Sequence, residues 1–107
     1  MYFPCPYLCG EVELTREREQ HILERHPELL SILRENIYEA LKDPDFVYNS
    51  SRFKNAKLFY RWFNDLRGGK YVVVVVVSNN GISFRHWIIT AYITRKIAGG
   101  ESEWKKN

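Results

Sequence analysis

Residues 70–78 read KYVVVVVVS and contain six consecutive valines at positions 72–77. Valine favours β-strands because its branched β-carbon restricts the side chain and packs well on a pleated surface. Since successive side chains of a strand point to opposite faces, a run that is apolar at every position predicts a central strand covered on both sides, at least in part. Burying this segment is the first requirement of the fold, because six exposed valines promote aggregation.

Three further segments have the two-residue period of strands. They span residues 46–49, 57–64 and 82–95. In the segment 57–64, one predicted face carries Leu58, Tyr60 and Trp62, and the other carries Phe59, Arg61 and Phe63. Turn signals separate the strands: residues 64–69 (NDLRGG) before the valine strand and residues 79–81 (NNG) after it. The pattern predicts a meander of four antiparallel strands.

Two helical segments precede these strands. Thr15 is suited to N-cap a helix that runs to about His26, and Pro27 either breaks that helix or opens the next one. Residues 28–42 have a helical period, and the sequence Asp43-Pro44-Asp45 ends it. The apolar stripe of this second helix consists of Leu29, Leu30, Leu33, Ile37, Ala40 and Leu41.

The order of these elements predicts an α+β fold with two N-terminal helices packed on one face of a roughly four-stranded antiparallel sheet. A chain of 107 residues is expected to form a single domain, 1–107, with an irregular lead-in at 1–10 and a polar tail at 97–107.

The composition is that of a globular protein, with 45% hydrophobic and 27% charged residues. These fractions exclude a disordered chain, and no stretch approaches the ~18 apolar residues of a membrane span. The first residues lack the basic region and apolar core of a secretory signal. We therefore expect a cytoplasmic protein with no membrane partner.

The net charge of +3 is unevenly distributed along the chain. Residues 11–45 contain five Lys/Arg and ten Asp/Glu, whereas residues 46–107 contain eleven Lys/Arg and three Asp/Glu. Eleven of the sixteen aromatic residues lie between Phe46 and Tyr92. A basic, aromatic half favours nucleic-acid binding. The alternative is that aromatic residues simply favour strands, with basic residues solvating them.

Two of the three histidines, His21 and His26, lie at the end of the first predicted helix. Arg18, His21 and Arg25 are spaced three and four apart, so they share one helical face. An imidazole serves as general acid or base near neutral pH, and arginines beside it would hold a phosphate. The alternatives are a solvated surface His21 and a His26 that satisfies a carbonyl at the helix end.

The last predicted strand supplies a second set of polar groups. Strict alternation would place His86, Ile88, Thr90, Tyr92 and Thr94 on one face, and Trp87, Ile89, Ala91 and Ile93 on the other. The first face carries hydroxyl groups that can line a site. The alternative is that Thr and Tyr are common strand residues on a half-exposed face.

Cys5 and Cys9 with His21 and His26 have the spacing C-x3-C-x11-H-x4-H, which is close to that of a zinc finger. The apolar residues that such a finger needs are missing, since Glu13 and Arg18 occupy their positions. Zinc binding is therefore the alternative to catalysis, and both cannot use the same histidines. A disulfide is disfavoured in a cytosolic protein.

Residues 14–15 and 21–28 (HILERHPE) resemble the opening of phage-associated nuclease-like domains of the barnase–EndoU–colicin–RelE group. The resemblance extends through residues 43–47 (DPDFV), 58–61 (LFYR), the valine strand and 89–94 (ITAYIT), so that it covers about residues 12–104. It implies an α+β fold and a metal-independent ribonuclease, often used as a toxin or effector, with RNA and an inhibitor or antitoxin protein as partners. The cysteine-bearing lead-in lies outside it.

The resemblance also implies site residues. A helix histidine (His21 or His26) and Thr90 would form the centre of the site, and Arg61 would bind the scissile phosphate. We therefore expect catalysis without a cofactor by His21, His26, Arg25, Arg61, Thr90 and Tyr92, and RNA contacts from Arg18, Tyr60 and Trp62. The alternatives are a non-catalytic RNA-binding module and a zinc-binding structural or interaction domain.

Overall fold

The computed structural model describes residues 1–80, 84–97 and 100–107. Within them, two α-helices and seven strands follow one another along the chain. These are β1 (Tyr2–Cys5), β2 (Gly10–Glu13), α1 (Arg16–Arg25), α2 (Leu33–Lys42), β3 (Phe46–Asn49), β4 (Ala56–Phe63), β5 (Lys70–Asn80), β6 (Phe84–Thr94) and β7 (Glu101–Lys105). Short 3-10 turns occupy Pro6–Leu8 and Pro27–Leu29.

The strands form one mixed sheet with the order β1-β2-β6-β5-β4-β3-β7. Strands β3 to β6 pair antiparallel in chain order, while β2 runs parallel to β6 through the pair Glu13 and Trp87. The α+β class is confirmed. The prediction of a four-stranded, purely antiparallel sheet is wrong, because both chain ends add strands to its edges.

The lead-in at 1–10, predicted to be irregular, contains strand β1, and the predicted polar tail at 97–107 contains strand β7. In the first segment β1 pairs antiparallel with β2, so strands precede the two helices. In the last segment β7 pairs with β3. Gly100 leads into β7 with a φ of 80°, and a Cβ at this position would lie 2.0 Å from the Asn49 carbonyl oxygen. Only glycine allows this close approach of the two backbones.

Helix α1 begins where the sequence predicts. The Thr15 hydroxyl oxygen accepts a hydrogen bond of 3.1 Å from the Arg18 backbone N–H, which confirms the N-cap. Helix α2 begins at Leu33 instead of residue 28, so Leu30 is 71% exposed while the other residues of the predicted stripe are buried. Each helix has ten residues, and neither is long and apolar enough to cross a bilayer.

The valine strand is covered on both sides, as predicted. On the side that we call the helix face, Val72, Val74 and Val76 pack with Phe59 and the apolar residues of the two helices. On the opposite side, which we call the open face, Val73 and Val75 pack with Leu58 and Tyr60. Within the described residues the helices therefore lie on one side of the sheet, and the valines of the open face are buried by side chains of the neighbouring strands.

Strand β6 contains a β-bulge that the strict alternation does not predict. Ile88 pairs with Val76 and Thr90 pairs with the adjacent Val75, so Ile89 is the extra residue. As a result Ile88, Ala91 and Ile93 share the helix face, whereas Thr90, Tyr92 and Thr94 share the open face with Trp87. The predicted grouping of Thr90, Tyr92 and Thr94 opposite Ala91 and Ile93 is confirmed, whereas the prediction that His86 and Ile88 share the face of Thr90 is wrong. Gly81 and Ile82, in the predicted turn and at the start of the predicted strand, lie outside the described residues.

Candidate functional site

A cavity of about 270 Å³ lies where α1 meets β6. Its lining residues are Arg18, His21, Ile22, Arg25, Ile89 and Thr90. Four of the residues that the sequence predicts to act on RNA are thus brought together. The cavity is smaller than a typical pocket for a drug-sized ligand. We call it the α1–β6 cavity.

Helix α1 aims its polar side chains into this cavity. Arg18, His21 and Arg25 are three and four positions apart and are exposed on one helical face. Ile22 is buried and anchors the helix in the core. The Thr15 side chain accepts a hydrogen bond from the Arg18 backbone N–H, so this N-cap fixes the first turn of α1 and the position of Arg18 in it.

The bulge in β6 supplies the opposite wall. Beyond Trp87, β2 no longer pairs with β6, and α1 packs against β6. At this point the extra residue Ile89 redirects the strand, so both Ile89 and Thr90 reach the cavity. Bulges commonly re-aim side chains next to functional sites.

The cavity is rich in positive charge. None of its described lining residues carries a carboxylate, and no ion pair formed within the described chain includes Arg18 or Arg25. On the same helix, the Glu19 carboxylate is bound by Arg34 at 2.7 Å, and the Arg34 guanidinium lowers the pKa of Glu19. Two unpaired guanidinium groups, an imidazole and a hydroxyl form a set of donors suited to a phosphate group.

His26 and Tyr92 form a pair beside the cavity but do not line it. Their ring centroids are 6.2 Å apart, and His26 Nδ1 lies 3.5 Å from a Glu28 carboxylate oxygen. Burial raises the pKa of Tyr92, although a hydrogen bond from Tyr60 partly opposes this effect. Tyr92 therefore holds its proton at neutral pH.

Arg61 lies outside the site. It extends from the helix face of β4, which β5 separates from β6. Its guanidinium donates to the Asp43 carbonyl oxygen at 2.9 Å and to the Asp43 carboxylate at 3.1 Å, and Glu39 is 3.9 Å away. Arg61 thus ties β4 to the end of α2, and the geometry does not support the predicted role in binding the scissile phosphate.

The two predicted stacking residues differ in accessibility. Tyr60 is 1% exposed in the open-face core, so it offers no ring face to a base. Trp62 is 38% exposed on the same face, and its indole N–H donates to the Asn64 side-chain oxygen at 2.7 Å. Of these two residues, Trp62 is therefore the one that can stack on a ligand.

The cysteines do not assemble a zinc site with the histidines. Cys5 is fully buried in the core and burial raises the pKa of its thiol, whereas Cys9 is exposed. Among the residues that the structure describes, no group of three or more His, Cys, Asp or Glu side chains is placed to hold a metal ion. The zinc alternative therefore has no support in the geometry.

Larger cavities elsewhere are less suited to an anion. One of about 680 Å³ between α2 and the β4–β5 connection is lined by the carboxylates of Glu35, Glu39 and Asp65. Two others, of about 760 and 560 Å³, share Cys9 and His86. The cations of those two are paired, Arg85 with Glu13 at 2.7 Å and Lys57 with Glu103 at 2.5 Å.

The fold and the site together define an α+β protein with a mixed sheet and a cationic cavity between its first helix and its longest antiparallel hairpin. Comparison with known proteins finds no matching family model, no similar curated protein and no similar solved structure. The function is therefore inferred from the site itself.

Proposed function

We propose that the protein is a metal-independent endoribonuclease that cuts RNA by transesterification through the ribose 2′-hydroxyl. The observation that carries the proposal is the α1–β6 cavity, in which an imidazole, two unpaired guanidinium groups and a hydroxyl surround one space. The nuclease-like resemblance of residues 12–104 agrees with this chemistry.

His21 is the general base of the proposed reaction. It takes the proton of the 2′-hydroxyl, whose oxygen attacks the adjacent phosphorus. The bond from phosphorus to the 5′-oxygen then breaks, leaving a 2′,3′-cyclic phosphate and a 5′-hydroxyl. A positioned base or acid of this kind typically contributes about 10²–10⁴-fold to the rate.

Arg18, Arg25 and Thr90 stabilise the negative charge that develops on the phosphate oxygens. They are fixed donors on a helix and a strand, so little reorganisation is needed during the reaction. Arg18, which the sequence predicts only to bind RNA, thereby joins the catalytic group, and Arg61 leaves it.

The departing 5′-oxygen needs a proton from a second group. His26 and Tyr92 are the candidates, because they lie together next to the cavity wall. Burial raises the pKa of Tyr92 and so weakens it as a proton donor, which makes His26 the favoured candidate.

The experiment uses an oligonucleotide with a single ribonucleotide in a DNA background, incubated in excess chelator. Wild-type protein is expected to cut at that position and to yield the cyclic phosphate. His21→Ala and Arg25→Ala are expected to lower the rate at least about 100-fold. The matched controls Gln20→Ala and Arg16→Ala change exposed residues of α1 that do not line the cavity. Equal rates for the cavity and control variants, or no cutting by the wild type, would refute the proposal.

A non-catalytic RNA-binding module is the second candidate, because Trp62 is exposed on the open face and Lys105 lies over the Phe46 ring of the same face. Salt-dependent RNA binding without cleavage of any RNA would favour it. A toxin or effector role and an inhibitor or antitoxin partner rest on the resemblance alone. A cytoplasmic location agrees with the two free thiols, Cys5 and Cys9, since a reducing compartment favours that state.

A further inference from the structure

Five aromatic residues form a connected cluster on the open face of the sheet. They are Phe46, Tyr48, Tyr60, Trp62 and Tyr71, which we call the aromatic surface. Neighbouring rings meet edge to face, with centroids separated by 4.9 Å (Trp62 and Tyr71), 5.5 Å (Tyr48 and Tyr60) and 5.8 Å (Tyr60 and Tyr71). This mutual packing makes the cluster a rigid surface.

The indole of Trp62 is held in one orientation. Its N–H is bound to Asn64, its ring packs against Tyr71, and Gly69 lies so close that an added Cβ would be 2.5 Å from the indole. A fixed aromatic ring loses little conformational entropy when a ligand stacks on it. Trp62 is therefore organised for stacking before any ligand arrives.

The aromatic surface adjoins the proposed catalytic site. Tyr60 hydrogen-bonds to Tyr92, which contacts His26, and Thr90 lies two positions before Tyr92 on β6. Thr90 and Trp62 are two strands and four residue positions apart, which is about 16 Å from the usual strand spacing and rise. A short single-stranded segment can therefore reach both.

Positive charge borders the aromatic surface at Lys105. Lys105 pairs with Phe46 across the sheet, and its ammonium lies 6.0 Å from the Phe46 ring centroid. Beside this cluster, the Asp45 carboxylate accepts a hydrogen bond from the Trp62 backbone N–H at 2.7 Å.

We propose that the aromatic surface binds single-stranded RNA that enters the α1–β6 cavity, with Trp62 stacking on one base and Lys105 contacting the backbone. This inference rests on the proposed ribonuclease function and adds its substrate class. Stacking on a protein ring requires an unpaired base, so a single strand fits this surface and a duplex does not.

The test measures binding of a fluorescently labelled 2′-O-methyl oligouridylate of twelve nucleotides, which cannot be cut through the 2′-hydroxyl. Trp62→Leu is expected to raise the Kd at least about tenfold, since stacking on one ring commonly contributes this much. The matched control is Trp104→Leu, because Trp104 is 37% exposed but pairs with Val47 of the helix-face core. Its Kd should stay within about twofold of wild type.

Circular dichroism reports whether Trp62→Leu folds, and Lys105→Gln provides a second variant if it does not. It is expected to weaken binding and to reduce the slope of log Kd against log salt by about one. An RNA duplex should compete poorly with the single strand. Absence of wild-type binding, or no weakening in either variant, would overturn the inference, as would equal binding of the duplex.

The two proposals can fail separately. If the wild type binds through Trp62 but never cuts RNA, the nuclease is refuted and the single-stranded RNA surface survives. If the wild type cuts RNA but the variants bind as tightly as wild type, only the inference about the aromatic surface is refuted.

Discussion

Deletion of Ile89 tests how the β6 bulge builds the candidate site. The deletion leaves Ile88 opposite Val76 and Thr90 opposite Val75, so every pair of the β5–β6 ladder is retained without the bulge. Because Ile88 and Ile89 are identical neighbours, the remaining isoleucine keeps the buried position, which is 1% exposed. The bulge also bends β6 locally, and without that bend we expect a folded protein in which Thr90 turns away from the cavity although its partner on β5 is unchanged.

The cost in stability follows from the burial of the deleted side chain. Full burial of an isoleucine contributes about 1.5–3 kcal/mol, and Ile89 is only partly buried in the open-face cluster, so we expect a loss of about 1 kcal/mol. For a domain of this size that loss lowers the Tm by about 4–8 °C. Thermal unfolding followed by circular dichroism measures it.

The matched control is Ile89→Ala, which removes most of the same side chain but retains the extra residue and the bulge. Both variants should lose similar stability, whereas only the deletion should lower RNA cleavage, by about tenfold or more, since it withdraws a phosphate donor. Equal cleavage by the two variants would show that the bulge does not position the site. An unfolded deletion variant would refute the register argument, whether or not the protein proves to be a nuclease.

Three further outcomes are expected from other parts of the structure. Phe59→Ala should lower the free energy of unfolding by about 3–5 kcal/mol in urea denaturation, because Phe59 is fully buried, whereas Phe53→Ala, at a 52% exposed residue, should change it by less than about 0.5 kcal/mol. Burial lowers the pKa of His86 below its ordinary value of 6.5. At pH values near and below 6.5 the unfolded state therefore binds more protons than the folded state. The free energy of unfolding should therefore fall as the pH drops below about 6.5, less steeply in His86→Asn, and parallel slopes for the two proteins would contradict this. Excess chelator should leave the Tm unchanged, because Cys5 is buried in the core and no three metal-ligating side chains meet among the described residues; a fall in Tm would restore the zinc alternative.

The local elements of the fold are predictable from the sequence because their signals are local. The valine run predicts the central strand, and Thr15 predicts the start of α1. The two-residue period that begins after Asp43-Pro44-Asp45 predicts β3 at its observed bounds. In each case a few neighbouring residues have a propensity that agrees with their final environment.

The edge strands β1 and β7 are not predictable in the same way. Both are short. β1 contains Pro4 and buries only Phe3 and Cys5, and every residue of β7 is exposed, so local signals for a strand are weak in both. They form because distant residues hold them: Leu14 donates to the Met1 carbonyl oxygen at 2.8 Å, and Lys106 donates to that of Asp45 at 2.9 Å. Such pairings depend on the tertiary structure and not on local propensity.

The bulge is the reason that the candidate site was only partly predictable. Regular alternation along β6 would put Thr90 and Tyr92 on the same face as Ile88. One extra residue in the strand puts them on the opposite face. Nothing in the pair Ile88-Ile89 distinguishes a bulged from a regular position. The helix residues Arg18, His21 and Arg25 were grouped correctly because their spacing lies within one continuous helix.

Charge summed along the sequence also differs from the charge that remains after ion pairing. Residues 11–45 are acidic in total, yet they supply both arginines of the α1–β6 cavity. Those arginines remain unpaired because nearby carboxylates have other partners, Glu19 with Arg34 and Glu28 with His26. In the basic half, Arg61, Arg85 and Lys57 are neutralised by Asp43, Glu13 and Glu103. An anionic ligand responds to the charges that remain after this pairing, so the proposed function places the scissile phosphate on the acidic half and the strand that leads to it on the basic half.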